Sequence, residues 1–211
     1  GDKYGEANTL TNLGVIYDKL GQYPKALTHY LQALAIQEKI GNKQRIANNL
    51  SNLGVLYYNL GQADKALGYF LNALTIRREI GDKRGEGLEL SNLGAAYDSQ
   101  GLSSKAVNTY MQALEIKRDI GDKRGEHADL SHIGAVYATL EKYQQALTHF
   151  KLALVLDREV GDQLGEAVDL SNIGLVHQQL GHDEEARKDL QESVAQLEKL
   201  MKVINHSDPS A

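Results

Sequence analysis

The sequence contains no cysteine and no tryptophan, and it has only two prolines and two phenylalanines among 211 residues. Without cysteine, disulfide bonds, thiolate metal ligands and a cysteine nucleophile are all excluded. A cysteine-free chain fits a reducing compartment, and we expect a cytoplasmic protein. The scarcity of proline allows long uninterrupted helices. No apolar run reaches the roughly 18 residues that a membrane-spanning helix needs, so no such helix is predicted.

Charge and histidine spacing exclude several kinds of ligand. The net charge is −5, with 28 acidic and 23 basic residues mixed along the chain, so neither nucleic acid nor a membrane surface is an expected partner. The seven histidines show no zinc-ligand spacing, and His127 and His132 fall on different faces of a helix. Nothing resembles a phosphate-binding loop or a nucleophile elbow. We therefore predict no metal site, no cofactor and no enzymatic activity.

One segment recurs throughout the chain with a period of 40 residues. Residues 91–97 read Ser-Asn-Leu-Gly-Ala-Ala-Tyr, and lightly edited copies occupy 11–17, 51–57, 131–137 and 171–177. A fixed period of this length is typical of a solenoid, in which each unit buries its apolar face against its neighbours.

Each repeat contains the pattern of two helices. In the third repeat, Gly81-Asp82 supplies a helix-ending glycine followed by an N-capping Asp. Leu90 and Leu93 then mark one face of a helix that Gly101 ends. A second apolar series up to residue 120 predicts an antiparallel partner helix. In the first helix, we expect the glycine at position 94 to pack closely on Ala106.

The period divides the chain into five repeats and a tail. The predicted boundaries are 1–40, 41–80, 81–120, 121–160 and 161–200, with the last helix extended to residue 204 and a frayed tail at 205–211. Because residues 1–6 are a junction sequence, we expect the chain to have been cut from a longer array. We also expect weak self-association through the repeat ends.

A fixed set of apolar and small residues recurs in the first four repeats. In the third repeat these residues are Leu90, Leu93, Gly94, Tyr97, Ala106, Tyr110 and Ala113. Their offsets resemble those of the tetratricopeptide repeat. The longer period and the Gly-Asp-x-x-Gly-Glu junctions are also similar to the Leu-Gly-Asn polarity scaffolds and to bacterial multi-repeat regulators. The resemblance implies an all-α fold, an α-solenoid of five helix-turn-helix repeats in a right-handed superhelix.

The resemblance also implies a site, because first helices in this family line a concave groove. The residue before Leu-Gly would face that groove, and it is Asn12, Asn52, Asn92, His132 or Asn172. We call these five residues the ladder. An Asn side chain can both donate to and accept from the backbone of an extended peptide. Alternatively, the ladder residues hydrogen-bond a neighbouring helix. The predicted groove also includes residues one turn away: Asn8, Asn48, Val15, Val55 and Ala95.

Two clusters of basic residues occur at 77–84 and 117–124, with acidic residues among them. Cations are favourable at helix C-termini, so we expect solvated ion pairs there. The alternative is an edge patch for acidic partners.

The function most consistent with these features is a protein–protein interaction module that binds an extended peptide or a helix of a partner in its groove. Two alternatives stay open, a structural or self-associating scaffold and the sensor array of a larger regulatory protein.

Overall fold

The computed structural model describes residues 2–206, with side chains up to Lys202. This part of the chain is all-α and contains ten helices of 17 to 24 residues. The helices are α1 Lys3–Lys19, α2 Tyr23–Ile40, α3 Lys43–Asn59, α4 Ala63–Glu79, α5 Lys83–Ser99, α6 Ser103–Asp119, α7 Lys123–Thr139, α8 Tyr143–Val160, α9 Gln163–Gln179 and α10 Asp183–His206. Of the predicted tail, residues 207–211 lie outside the described range.

The chain forms two compact units, Gly1–Ile116 and Lys117–Ala211. In the first unit, α1 packs on α2, α2 on α3, α3 on α4 and α4 on α5. In the second unit, α7 packs on α8, α8 on α9 and α9 on α10. Helices therefore pack mainly on their neighbours in sequence. The five helix pairs confirm the predicted all-α repeat fold.

The Gly-Asp junctions start the first helix of each repeat as predicted. Gly81 has a left-handed φ of 71°, which glycine adopts without steric cost. Asp82 then caps α5, because its Oδ1 accepts a hydrogen bond of 2.9 Å from the Gly85 N–H. Equivalent caps begin the other first helices, at Asp2, Asn42, Asp122 and Asp162.

A second left-handed residue lies in the turn between the two helices of each repeat. It is a glycine in four repeats, with φ between 68° and 74°: Gly21, Gly61, Gly101 and Gly181. In the fourth repeat the equivalent residue is Glu141, with φ 58°. A residue with a Cβ loses roughly 1–2 kcal/mol in this conformation, so this turn is the strained one.

In each of the first four repeats, the glycine in the middle of the first helix makes room for an aromatic ring. A Cβ on Gly94 would lie 2.8 Å from Cδ1 of Tyr110, and a Cβ on Gly134 would lie 2.8 Å from Cδ1 of Phe150. The three atoms nearest to a Cβ on Gly94 all belong to the ring of Tyr110, so the close approach involves the aromatic ring, and the contact of Gly94 with Ala106 stays a prediction. Ala106 is fully buried in its own helix pair.

The core of each unit is a row of clusters between helix pairs. In the first unit, Tyr30 packs with Leu53 and Leu56, and Phe70 packs with Leu90 and Leu93. In the second unit, the main cluster is centred on Phe150, Ile173 and Val176. No helix in the described part of the chain has the length and apolar character needed to cross a bilayer.

Candidate functional site

The ladder residues lie on the five first helices, α1, α3, α5, α7 and α9. In the first unit, α1 contacts α3 and α3 contacts α5, so Asn12, Asn52 and Asn92 occupy equivalent places on adjacent helices. His132 and Asn172 belong to the second unit. Their exposure is mixed: Asn12 and His132 are exposed, while the other three are half-buried.

Hydrogen bonding distinguishes the two interpretations of the ladder. Nδ2 of Asn92 donates to Glu89 Oε2 within α5, at a long 3.4 Å. The side chains of Asn12, Asn52 and Asn172 make no hydrogen bond to any other described residue. A role in binding a neighbouring helix would require such bonds, since a structural amide stabilises through its partners. These three side chains are therefore available to a ligand.

The polar residues one turn before the ladder are committed to the interior. Asn48 Oδ1 accepts a hydrogen bond of 2.7 Å from Arg77 Nη2, which ties α3 to α4. Oδ1 of Asn8 is buried and accepts no hydrogen bond from the described residues. Asn48 thus has a structural role in holding α3 against α4, although it was predicted to face the groove.

The apolar residues one turn after the ladder are half-buried. Val15 and Val55 pack against the core clusters of the first unit, and Ala95 is equally half-buried. Apolar residues at the flanking positions in later repeats are about half exposed: Leu88, Val168 and Leu175. The later repeats therefore present apolar side chains at the surface beside the ladder.

A second constellation, absent from the sequence analysis, lies between successive repeats. We call it the junction pair, and it consists of a residue near the end of one second helix and the residue twelve positions later, in the next first helix. The four pairs are Gln37 with Asn49, Arg77 with Glu89, Lys117 with Asp129, and Asp157 with Asp169. None of these eight residues is more than 6% exposed.

The second and third junction pairs each bring a cation to a buried carboxylate. Arg77 Nε lies 3.7 Å from Glu89 Oε1, and Arg77 Nη1 lies 2.8 Å from Asp82 Oδ2. Lys117 Nζ lies 2.8 Å from Asp129 Oδ2. The expectation that these basic clusters form solvated ion pairs was therefore wrong for Arg77 and Lys117. It holds better for their neighbour Arg78, which is half exposed and pairs with Glu86.

The fourth junction places two carboxylates together, and a histidine from a third helix lies between them. Nε2 of His127 is 3.0 Å from Asp157 Oδ2 and 3.1 Å from Asp169 Oδ2. His127 stands in α7, where the other first helices have the small residues Ala7, Ala47, Gly87 and Ala167. The imidazole thus takes the role that Arg77 and Lys117 have at the preceding junctions.

Burial perturbs the acids of these junctions. Burial raises the pKa of Glu89 to about 6, although the Ser51 hydrogen bond and Arg77 oppose the shift. Burial also raises the pKa of Asp157 to about 6. The hydrogen bond to Asp169 raises the pKa of His127 above its ordinary value, and this effect exceeds the opposing effect of burial. The charges of Glu89 and Asp157 therefore change around pH 6.

A signal for the junction pairs was present in the sequence. Glu89, Leu93 and Ala96 follow the i, i+4, i+7 spacing of one helix face, so helical periodicity places this acid on the core side. The same position is Asn49, Asp129 or Asp169 in neighbouring repeats. A polar residue that recurs on an apolar face requires a buried partner.

Comparison with known proteins agrees with the helix pairs described above. A family model described as "Tetratricopeptide repeat" matches residues 45–119 and 127–199, and a second with the same description matches 7–39. Among curated proteins, none matches this chain at a significant level.

Solved structures share the fold at low sequence identity. BtubC (BKLC) from P. vanneervenii is 20% identical with a TM-score of 0.78, over 97% of this chain and 83% of that chain. A signal transduction ATPase with numerous domains, which has a tetratricopeptide repeat sensor and comes from Pyrococcus horikoshii, is 23% identical with a TM-score of 0.82, over 91% of this chain and 30% of that one.

A third similar structure is a Rap protein complexed with competence and sporulation factor. It is 20% identical with a TM-score of 0.74, over 94% of this chain and 56% of that chain. Family models match more than half of the residues of the present chain, and its helices pair as those of this repeat do. The chain therefore belongs to the tetratricopeptide repeat family.

Proposed function

We propose that this chain is a protein-interaction module, and that it binds an extended segment of a partner protein across the first helices. One observation carries the proposal. The amides of Asn12 and Asn52 lie on contacting helices, reach the surface and have no hydrogen-bond partner among the described residues. A row of donor–acceptor amides suits a peptide backbone, because it bonds N–H and C=O groups without regard to side chains.

The surroundings of the ladder support the same kind of ligand. Exposed Leu88 lies one turn before Asn92, and Val168 and Leu175 flank Asn172 in the second unit. Apolar surface beside polar groups is the usual composition of a peptide-binding face. The Rap structure among the similar proteins was solved as a complex with competence and sporulation factor, which is a precedent for ligand binding on this fold.

The proposal is tested by removing two adjacent ladder amides. A peptide selected against the chain from a random display library serves as the probe, and calorimetry measures its affinity. A net hydrogen bond contributes about 0.5–1.5 kcal/mol, and an unsatisfied buried partner costs about 1–3 kcal/mol. The double change Asn52→Ala with Asn92→Ala should therefore weaken binding by about 2–4 kcal/mol, or roughly 30- to 1,000-fold.

The matched control is Asn59→Ala with Asn72→Ala, which removes two exposed amides from outside the ladder in the same unit. Binding should remain within about twofold of the unchanged chain, as for surface substitutions that touch nothing. Thermal melting of both variants checks that the loss of the Asn92–Glu89 hydrogen bond does not unfold the repeat. Normal binding by the ladder variant, together with loss in the control, would place the site on another face.

A second candidate is the sensor array of a larger regulatory protein. The Pyrococcus horikoshii protein carries its tetratricopeptide repeats as a sensor, and this chain spans only 30% of it. A peptide bound at the ladder would be the sensed signal, so both candidates use the same face. Sequencing the gene on either side of this segment distinguishes them, since a sensor requires an adjoining effector domain.

A further inference from the structure

His127, Asp157 and Asp169 form a compact trio of potential metal ligands inside the second unit. One ligand atom from each residue lies within 4.8 Å of the other two. Asp157 is 2% exposed and Asp169 is 1% exposed, while His127 is only partly buried. The three residues come from α7, α8 and α9.

Hydrogen bonds leave one oxygen of this trio unsatisfied. In the tautomer that carries a proton on Nε2, the single N–H of His127 at that atom donates to Asp169 Oδ2. Asp157 Oδ2 lies equally close to Nε2, but one N–H cannot serve two carboxylates, and this buried oxygen accepts no hydrogen bond from the described residues. A buried acceptor without a donor is costly. A cation between the three groups would coordinate all of them.

The balance of charge at the fourth junction also favours a bound cation. At the second and third junctions a buried carboxylate meets Arg77 or Lys117, so those pairs are close to neutral. At the fourth junction two carboxylates face a neutral or protonated imidazole, which leaves a net charge of −2 or −1. A divalent cation with a neutral imidazole balances the two carboxylates completely. Buried charges that are neither paired nor bound to a metal are rare.

The distances suit a small transition-metal ion. In a tetrahedral zinc site, ligand atoms at about 2.0 Å from the metal lie roughly 3.3 Å apart. The separations of 3.0 and 3.1 Å from Nε2 to the two carboxylate oxygens are within a few tenths of that value. An imidazole ligand favours Zn²⁺ and its neighbours over Mg²⁺ and Ca²⁺, which prefer oxygen ligands alone.

The surroundings hold the carboxylates in place. Ser131 Oγ donates to Asp169 Oδ1 at 3.1 Å, which directs the other oxygen toward the trio. Gly165 lies directly against Asp157, since a Cβ there would be 2.5 Å from Oδ2. Such outer contacts orient metal ligands and raise affinity.

A cavity of about 200 Å³ lies against two of the three residues, His127 and Asp157, and offers an entry path and space for a water ligand. Its lining includes Lys123, Arg124, Leu156, Val160 and Asp162, together with His127 and Asp157 themselves.

We propose that His127, Asp157 and Asp169 bind one divalent transition-metal ion of the zinc type, which joins α7, α8 and α9. The sequence analysis predicted no metal site. Asp157 and Asp169 lie 30 and 42 residues after His127 in the sequence, so no local motif could reveal the proposed site.

The experiment is a titration of the chelator-stripped chain with Zn²⁺, followed by calorimetry and by thermal melting. We expect one ion per chain and a higher melting temperature with the metal. Asp157→Asn keeps the shape of the side chain but removes its charge, and it should weaken binding by more than about 100-fold, since even outer-shell losses cost 10- to 100-fold. His127→Ala, which installs the residue found at position 47, should do the same.

The control is His182→Ala, which removes a histidine from a second group of histidine and carboxylate side chains in the same unit. In that group, the ring centroids of His177 and His182 are 5.9 Å apart, and His177 is hydrogen-bonded to Asp189. It should leave the affinity unchanged. Histidine-ring NMR of the unchanged chain gives a readout without any variant, since the His127 signals should shift with Zn²⁺ while those of His149 should not. An unchanged chain that binds no Zn²⁺, or one that loses Zn²⁺ only through His182→Ala, would overturn the proposal.

Discussion

Glu89 in the first unit and Asp169 in the second occupy the same place in their repeats, yet they meet different partners. Glu89 faces a guanidinium from the preceding second helix. Asp169 faces another carboxylate there, and its positive partner, His127, comes from the preceding first helix. The turns differ as well, because Gly101 in the first unit corresponds to Glu141 in the second. Repeats with one backbone plan therefore differ in how they satisfy a buried charge.

The two units show that a buried carboxylate constrains its surroundings without fixing the source of the cation. Arg77 and Lys117 reach their carboxylates from second helices, whereas His127 reaches Asp169 from a first helix. Where the cation is absent, as at the first junction, the acid is absent too, and the equivalent residues Gln37 and Asn49 are both buried and uncharged. Acid and base thus change together.

The largest effect should come from removing the cation of the second junction. Arg77→Gln leaves Glu89 buried and uncompensated, and breaking a buried pair in this way costs about 3–5 kcal/mol of unfolding free energy. Adding Glu89→Asn recreates the neutral residues of the first junction and should recover part of the loss. Urea unfolding of both single variants and the double variant measures the coupling, expected at about 0.5–3 kcal/mol.

Arg78→Gln is the matched control for that cycle. Arg78 is half exposed and pairs with Glu86, so its loss should cost no more than about 1 kcal/mol. Strictly additive losses for Arg77 and Glu89 would show that the two side chains act independently.

An intermediate effect should appear in the pH dependence of stability. Folding raises the pKa of Glu89 from 4.5 to about 6, because burial of the carboxyl outweighs the opposing effects of the Ser51 hydrogen bond and Arg77. The folded chain therefore binds the proton more tightly than the unfolded chain, so this group makes stability fall as pH rises from about 4.5 to 6. Glu89→Gln should abolish that contribution. Urea midpoints of the two proteins across this range give it by difference, since other carboxylates cancel.

Urea midpoints of Asn49→Asp across the same pH range test the converse change, in which an acid is added to the uncharged first junction. A new acid at the neutral junction lacks a cation, so it should destabilise the chain most at high pH. A flat difference between Glu89→Gln and the unchanged chain would mean that Glu89 titrates as it does in the unfolded state.

The smallest effect should come from the turns. Glu141→Gly relieves a left-handed non-glycine residue, which costs roughly 1–2 kcal/mol, but it also makes the unfolded chain more flexible by up to about 1 kcal/mol. We expect a net gain of about 0.5–1 kcal/mol in urea unfolding. Gly101→Ala is the reverse change in the first unit and should lose a similar amount. If the two variants were equally stable, the turns at Gly101 and Glu141 would not differ in backbone strain.

The sequence was sufficient for the fold because local signals agree in nearly every repeat, with Glu141 in place of a turn glycine as an exception. The 40-residue period, the caps at Asp82 and its equivalents, and the turn glycines each specify helix ends without distant information. The site was harder to predict. Position alone placed the ladder on the first helices. The hydrogen bond that Arg77 donates to Asn48 depends on how two helices pack, which the sequence pattern did not contain.

Partner choice at the junctions was hidden for the same reason. Arg77 looked like a residue at a helix end, where solvent is the usual neighbour. Its burial follows from the next helix lying over it, and Gly85 permits that approach, since a Cβ there would lie 2.5 Å from Arg77 Nε.

The different junction pairs also bear on assembly errors. Arrays of similar repeats can misassemble, because a helix pair can dock on the wrong neighbour or on another molecule. If α8 docked on α5 in place of α9, Asp157 would meet Glu89 without an imidazole or a guanidinium nearby. Docking α4 on α3 of another chain would leave Arg77 facing Asn49. We expect these unfavourable charge contacts to disfavour wrong docking, and so to favour the correct order of repeats, during synthesis, when incomplete arrays are exposed to one another.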